Sequence, residues 1–171
     1  MRSIAFILSA LALAGAAWAR PYYAPKSVMI AQSEVIAVVD VQRVRPANVR
    51  GEEWTYAQAA DAAVVQVIKG RLPPRVRLYA QEDFICTRID YRPGRYLVFL
   101  RRDGDLWRGS NWYLSARPVE NGSLEWYANG RESGSHPSAI RMERRPLAAV
   151  IRDVRATMGS IPARRLHPME K

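Results

Sequence analysis

The run at residues 96–100 constrains the fold of this chain more than any other stretch. Its sequence is YLVFL, which is apolar at every position. A strand with one solvent-exposed face alternates apolar and polar side chains, whereas a strand buried on both faces is apolar throughout. Asp103-Gly104 follows shortly after and is a favoured two-residue hairpin turn. We therefore predict a central strand that folds back on itself, with residues 106–111 as the return strand.

Several earlier stretches also have the composition of β-strands. Residues 33–44 are rich in β-branched side chains, and Pro46 should end this strand. Residues 54–70 are predicted as one long strand, although the alanines of its first half are also compatible with a helix. Residues 75–81 alternate apolar side chains with Arg and Tyr. This strand should therefore be half buried, with a basic outer face.

The last third of the chain combines a second hairpin with a helix. Residues 112–119 and 124–127 are predicted as strands joined by a turn at Asn121-Gly122. A helix is predicted at residues 146–158, because apolar residues recur there at helical spacing and proline suits its first turn. This order predicts a mainly β domain over residues 33–159. Its fold should be a five-stranded Greek-key barrel of the OB type with a C-terminal α-helix.

The first nineteen residues have the organisation of a secretory signal peptide. Arg2 is followed by an apolar stretch that is short for a spanning helix, and Ala17-Trp18-Ala19 is a small-x-small cleavage site. We therefore expect a periplasmic or secreted protein cut after Ala19. Residues 20–32 are predicted as an extended N-terminal arm, and residues 160–171 as a basic disordered tail.

Basic residues outnumber acidic ones, 26 to 16, which gives a net charge of +10; losing Arg2 with the signal would leave +9. Most of the basic residues are arginines, which suit carboxylate, phosphate or sulfate partners that accept paired hydrogen bonds. The alternative is that the charge serves solubility alone, because the arginines are spread along the chain.

Sequence motifs for catalysis, metal binding or a nucleotide cofactor are not found. Cys86 is the single cysteine and is predicted to be a small buried apolar residue. Cys86 with His136 is the only conceivable thiol–imidazole pair, and residue type alone supports a thiol enzyme. His136 and His167 lack the spacing of metal ligands. We therefore predict a protein that is not an enzyme and binds neither a metal nor a cofactor.

The order of the strand motifs resembles bacterial members of the netrin-like superfamily, which are related to tissue inhibitors of metalloproteases. The similar segments are SEVIAVVDVQRV at 33–44, VVQVIKG at 64–70, RVRL at 75–78, Cys86, and PGRYLVFL at 93–100. The resemblance covers residues 30–127 and implies the OB barrel. Inhibitors of that superfamily place an N-terminal cysteine on the protease zinc. The expected N-terminus here is Arg20-Pro21-Tyr22, so that mechanism is not implied and no functional residue transfers.

Basic and aromatic residues are interleaved from Arg92, Arg95 and Tyr96 onward. The residues selected as a candidate binding surface are Arg101, Arg102, Trp107, Arg108, Trp112 and Arg117. OB barrels bind nucleic acids or oligosaccharides through aromatic residues in basic grooves. The alternative is that the aromatic rings fill the barrel while the arginines solubilise its outside.

These patterns predict an exported, non-catalytic binding or interaction module of the cell envelope. The expected partner is an anionic glycan, a membrane surface or an acidic envelope protein; the export signal argues against nucleic acid. The second hypothesis is an inhibitor or regulator of an envelope enzyme.

Overall fold

The computed structural model describes residues 24–83, 88–128 and 140–161. Over these residues the fold is mainly β with a C-terminal helix, as predicted. The elements are α1 (Lys26–Gln32), β1 (Val35–Arg50), β2 (Thr55–Lys69), β3 (Arg75–Glu82), β4 (Gly94–Asp103), β5 (Leu106–Gly109), β6 (Ala116–Pro118), β7 (Ser123–Tyr127), β8 (Met142–Pro146) and α2 (Leu147–Ser160). The predicted signal peptide, Cys86, His136 and His167 lie outside the described residues.

Six strands form the larger sheet, and β1 has two neighbours within it. β1 pairs antiparallel with β2 and, through Val35–Val41, with β4. β2 pairs antiparallel with β3, and β3 meets β5 in a parallel register. β5 pairs antiparallel with β4, and β6 adds to the other part of β4. The series of neighbours β1-β2-β3-β5-β4 therefore returns to β1.

β4 is apolar on both faces because each face contributes to a separate core. On one side, Leu97 and Phe99 pack under the helices, where Phe99 stacks on Trp126 with ring centroids 5.6 Å apart. On the other side, Val98 and Leu100 pack against β2 and β3. Burying each such side chain contributes about 1.5–3 kcal/mol. The prediction of a central strand at residues 96–100 is confirmed.

The N-terminal arm is not extended over residues 26–32, which form α1 instead. Met29 and Ile30 are fully buried in the helix-side core. Lys69 donates to the carbonyl oxygens of Ile30 (2.8 Å) and Ala31 (3.1 Å), which lie at the end of the helix. Short helices are marginal alone. This one forms because tertiary packing and a lysine from β2 complete it.

β1 does not end at Pro46 but continues to Arg50. Beyond Val41 its pairing with β4 stops, and β2 is its one neighbour among the described strands. A proline is tolerated where one side of the strand has no partner to bond. The register between β1 and β2 shifts between Pro46 and Val49, which accommodates the proline.

The first hairpin forms with a turn displaced by one residue. Asp103 pairs with Leu106, so the two turn residues are Gly104 and Asp105. Gly104 takes a φ of 60°, whereas Asp103 is the buried last residue of β4.

The predicted second hairpin is wrong in its strand pairing. Asn121 and Gly122 do form a turn, with φ values of 50° and 71°. However, β6 is only three residues long and pairs with β4, while β7 pairs with β8, a strand that the sequence did not predict. The helix α2 begins after Pro146 and includes Ser160, which the sequence predicts to lie in the tail.

Candidate functional site

Most of the predicted surface residues lie at one end of the larger sheet, here called the hairpin end. This is where the turn at residues 51–54, between β1 and β2, meets the β4–β5 turn. Asp103 joins the two turns, because its carboxylate accepts the N–H groups of Glu53 (2.6 Å) and Trp54 (3.2 Å). The Tyr56 hydroxyl also donates to Asp103, at 2.6 Å.

Two of the predicted arginines share one carboxylate at the hairpin end. Arg101 donates to both oxygens of Glu53, at 2.8 and 2.7 Å. Arg108 also donates to Glu53 and to the carbonyl of Gly109, and only 6 % of it is exposed. Both arginines are therefore held by contacts within the protein, although one carboxylate balances only one of the two charges and the Nε of each is buried without a hydrogen-bond partner among the described residues.

The other hairpin-end residues pack on one another. The Arg102 guanidinium lies 3.9 Å from the centroid of the Trp107 ring and donates to the carbonyl of Asp105. Trp112 packs edge-on against Trp54 with centroids 6.1 Å apart. The arrangement agrees with the alternative that these rings and arginines serve packing and solubility.

Buried groups at the hairpin end have shifted pKa values. Burial alone would raise the pKa of Asp103, but the hydrogen bonds from Tyr56, Glu53 and Trp54 outweigh it and hold the pKa below its usual value. Burial raises the pKa of Glu82, although a backbone hydrogen bond and the charge of Arg108 oppose the rise. The hairpin end therefore contains one carboxylate stabilised as an anion and one that resists ionisation.

Arg117 lies elsewhere, in a cleft of about 700 Å³ formed by the segment before β4, the start of β4, and β6. Arg92, Arg95, Tyr96 and Tyr113 also line this cleft. Along β4, Arg95 and Asp103 are eight residues apart, or about 27 Å at the usual rise of a strand. The cleft and the hairpin end are therefore separate regions.

The three arginines of the cleft differ in burial and in the hydrogen bonds that their guanidinium groups make within the protein. Arg117 is buried; its Nε donates to the carbonyl of Glu125 (3.0 Å), its Nη2 lies 3.5 Å from the Glu125 carboxylate, and burial lowers its pKa. Arg95 forms two hydrogen bonds to Asp40, at 2.7 and 2.9 Å. The Arg92 side chain is 80 % exposed, with its Nε 3.7 Å from Asp90. Arg92 is thus the best placed to bind an external anion.

Two tyrosines give the cleft rigid walls. The Tyr96 hydroxyl accepts the backbone N–H of Arg92 (3.0 Å), which fixes the segment before β4. Tyr96 also packs edge-on against Tyr91 at 5.5 Å. Tyr113 is half-buried, and burial raises the pKa of its hydroxyl.

The sequence included Arg92, Arg95 and Tyr96 in the basic–aromatic pattern but did not select them as site residues. The Pro93-Gly94 turn between the arginines was the available signal. It could not show that β6 would add to β4 and bring Tyr113 and Arg117 to the same place. That pairing joins Leu97 to Arg117 across the strands.

Within residues 24–83, 88–128 and 140–161, no three His, Cys, Asp or Glu side chains are grouped to hold a metal ion. No helix in this part of the chain is long and apolar enough to cross a membrane. No protein-family model matches the chain, and neither a curated protein nor a solved structure matches it. The netrin-like resemblance therefore stays a prediction.

Proposed function

We propose that this protein is an exported, non-catalytic binding module built on a netrin-like barrel of the OB type. The strand order supports this proposal: β1-β2-β3-β5-β4 returns to β1, and β3 and β5 form its one parallel pair. OB barrels use one scaffold for many ligands, so the ligand class has to come from the site itself.

The ligand that best suits the cleft is an anionic glycan. The observation that carries this proposal is the cleft itself. It has a volume of about 700 Å³, and three guanidinium groups line it. Ligand pockets commonly enclose 300–1,000 Å³. A sulfate or carboxylate group of the glycan pairs with Arg92, whereas the charge of Arg117 is largely balanced by the Glu125 carboxylate 3.5 Å away.

The cleft also has groups that suit a sugar rather than a simple anion. Tyr113 offers part of an aromatic ring to the face of a sugar. Asp90 and Glu120 line the cleft as well, and their carboxylates accept hydrogen bonds from hydroxyl groups. Arginines for the acid group and carboxylates for the hydroxyls together favour an acidic sugar over inorganic phosphate.

Titration with a sulfated disaccharide from heparin, followed by calorimetry and NMR, tests this function. We expect saturable binding that weakens as the salt concentration rises. The affinity should fall about tenfold in Arg92→Ala, because one charge-assisted hydrogen bond is lost. Because Arg92 is exposed, the melting temperature should not change. The control is Arg152→Ala on the exposed side of α2, which should bind as the unchanged protein does.

Absence of saturable binding at low salt would contradict the proposal. Equal weakening by Arg92→Ala and Arg152→Ala would also contradict it, since the interaction would then depend on net charge alone. Binding lost in Arg101→Ala but retained in Arg92→Ala would assign the site to the hairpin end instead.

A further inference from the structure

One carboxylate of the cleft is held in a fixed orientation by two side-chain amides. Asp90 lines the cleft, and its Oδ1 accepts hydrogen bonds from Nε2 of Gln58 (2.9 Å) and Nε2 of Gln81 (3.1 Å). Both glutamines line a separate cavity of about 240 Å³, so they approach Asp90 from outside the cleft. Oδ2 is therefore the carboxylate oxygen that is left for a ligand.

The two glutamines are themselves held in place. Gln58 is 7 % exposed, and its carboxamide accepts the N–H of Tyr91 (2.8 Å) and donates to the carbonyl of Tyr91 (3.4 Å). Gln81 has a φ of 55°, in the left-handed region that residues other than glycine seldom adopt. Such backbone conformations are concentrated at functional sites. Gln58 and Gln81 therefore orient Asp90 without lining the cleft themselves.

The free oxygen of Asp90 lies beside the exposed guanidinium group of Arg92. Arg92 Nε is 3.7 Å from Asp90 Oδ2, which is longer than a hydrogen bond. In the part of the chain that the structure describes, neither Oδ2 nor the Arg92 guanidinium takes part in a hydrogen bond. A charged donor and a charged acceptor this close together suit two neighbouring substituents of one sugar ring, an acid group and a hydroxyl.

The surroundings of this pair have little net charge. Arg95 is bonded to Asp40, and Arg117 lies 3.5 Å from the Glu125 carboxylate. Each of these two arginines therefore faces one carboxylate of the protein, and the remaining pair is itself one cation beside one anion. A ligand with several sulfates gains little from such balanced charges, because its additional sulfates are repelled by the nearby carboxylates.

We propose that Asp90 and Arg92 together select a uronic acid, a sugar with a carboxylate on one ring carbon and a free hydroxyl on the next. The carboxylate pairs with the Arg92 guanidinium, and the hydroxyl donates to Asp90 Oδ2. Gln58 and Gln81 are positioning residues, since they keep Oδ2 beside Arg92. The inference rests on the glycan function proposed for the cleft and adds its selectivity.

Calorimetric titration with four disaccharides tests this selectivity. The first joins glucuronic acid to N-acetylglucosamine. The second is its unsaturated form, released by a lyase, which lacks the hydroxyl next to the carbon that bears the carboxylate. The third has glucose in place of glucuronic acid, and the fourth is the trisulfated disaccharide of heparin.

The unchanged protein should bind the glucuronic acid disaccharide most tightly. Its affinity should exceed that of the glucose form about tenfold, because the glucose form cannot make the charge-assisted bond to Arg92. It should exceed that of the unsaturated form about fivefold, because Asp90 then has no hydroxyl to bind. The trisulfated disaccharide should also bind more weakly, because its additional charges meet carboxylates.

Asp90→Asn should change this order. The two glutamine amides donate to the Oδ1 position, so the asparagine oxygen takes that position and the NH2 group replaces Oδ2. The preference for the glucuronic acid form over the unsaturated form should fall to about twofold or less. Affinity for the trisulfated disaccharide should rise about three- to tenfold, because an anion becomes a donor. The matched control is Asp105→Asn, exposed in the β4–β5 turn, which should change neither.

Gln81→Met tests the positioning role without altering a group that contacts the ligand. Methionine keeps the length of the side chain but donates no hydrogen bond, so Gln58 alone would hold Asp90. The preference for the form with the hydroxyl should fall about two- to threefold, whereas the preference for the acid over the glucose form should stay. Circular dichroism and melting curves confirm that each variant folds.

The outcomes separate this inference from the glycan function. Failure of every acidic disaccharide to bind saturably would contradict both. Binding that depends on Arg92 but shows no preference for the hydroxyl, or a preference that Asp90→Asn leaves unchanged, would overturn the role of Asp90 alone. Tightest binding of the trisulfated disaccharide by the unchanged protein would also overturn it, since charge density would then select the ligand.

Discussion

The hairpin end and the cleft lie at opposite ends of β4 and use similar residues for different purposes. At the hairpin end, Arg101 and Arg108 converge on Glu53 and fix two turns to each other. In the cleft, 80 % of the Arg92 side chain is exposed, and its Nε lies 3.7 Å from the Asp90 carboxylate. The residue type is the same, so the difference lies in which partners the fold brings within reach.

This difference teaches that arginine density is a poor guide to a binding surface. A guanidinium already bonded to a carboxylate gains little from an external anion, because it must first give up its internal partner. Concavity and exposure of the guanidinium group are the better criteria, and both favour the cleft, where the Arg92 side chain is 80 % exposed.

Removing the charge of Asp103 should have the largest effect and would show that the hairpin end is structural. Asp103→Asn should lower the free energy of unfolding by about 3 kcal/mol at pH 7, because the charge is lost and one of the two oxygens that accept three hydrogen bonds becomes an NH2 group facing donors. Urea unfolding measures it. The exposed neighbour Asp105 is the control, and Asp105→Asn should cost less than about 0.5 kcal/mol.

The stability lost in Asp103→Asn should be smaller at low pH than at pH 7. Since the folded-state pKa of Asp103 is lowered, its contribution is present above the unfolded value of about 3.9 and is lost as pH falls through the folded value. The gap between Asp103→Asn and the unchanged protein should therefore close in acid. A gap that persists at the lowest pH would show that packing, not charge, is responsible.

Glu82→Gln should have a smaller effect of opposite sign. Burial raises the pKa of Glu82 in the folded protein above its ordinary value of 4.5. The protonated form of Glu82 therefore favours the folded state below pH 4.5, and the protein loses stability as the pH rises through the pKa of the folded state. At pH 8 the variant should be more stable by about 1 kcal/mol, and at pH 4 the two should converge. Asp83→Asn, at the exposed neighbouring position, should show no such gain.

Asp40→Asn should have the smallest effect on stability but a measurable one on binding. The Asp40–Arg95 pair is well exposed, so its loss should cost at most about 0.5 kcal/mol. Freeing Arg95 in the cleft should raise affinity for the sulfated disaccharide about two- to threefold. Asp61→Asn frees Arg77 outside the cleft and should leave affinity unchanged. Weaker binding in Asp40→Asn would mean that Asp40 positions Arg95 for the ligand.

The sequence located the long strands well because their signals are local. Residues 96–100 are apolar throughout, and β3 alternates apolar residues with polar or aromatic ones, so composition and period alone indicate both. The pairing of β6 with β4 could not be predicted in this way. The turn at Asn121-Gly122 suggested a local hairpin, whereas the actual partner of β7 is β8, about twenty residues further along.

The sequence predicted the residue types of the candidate site but not which of them would be available to a ligand. The sequence indicated arginines interleaved with aromatic rings, and Arg117 was among the residues selected. Which arginines remain available depends on contacts between residues distant in sequence, such as Arg101 with Glu53 or Arg95 with Asp40. No local pattern encodes such contacts.

The sequence by itself determined a β-rich domain with a late helix, a doubly covered central strand and an excess of arginine. These features follow from side-chain chemistry and from periods of two and 3.6 residues, which are properties of neighbouring residues. Tertiary structure decided that residues 26–32 become a helix and that Pro46 lies within a strand. It also decided which basic residues face solvent, because burial and ion pairing depend on where the chain brings distant segments together.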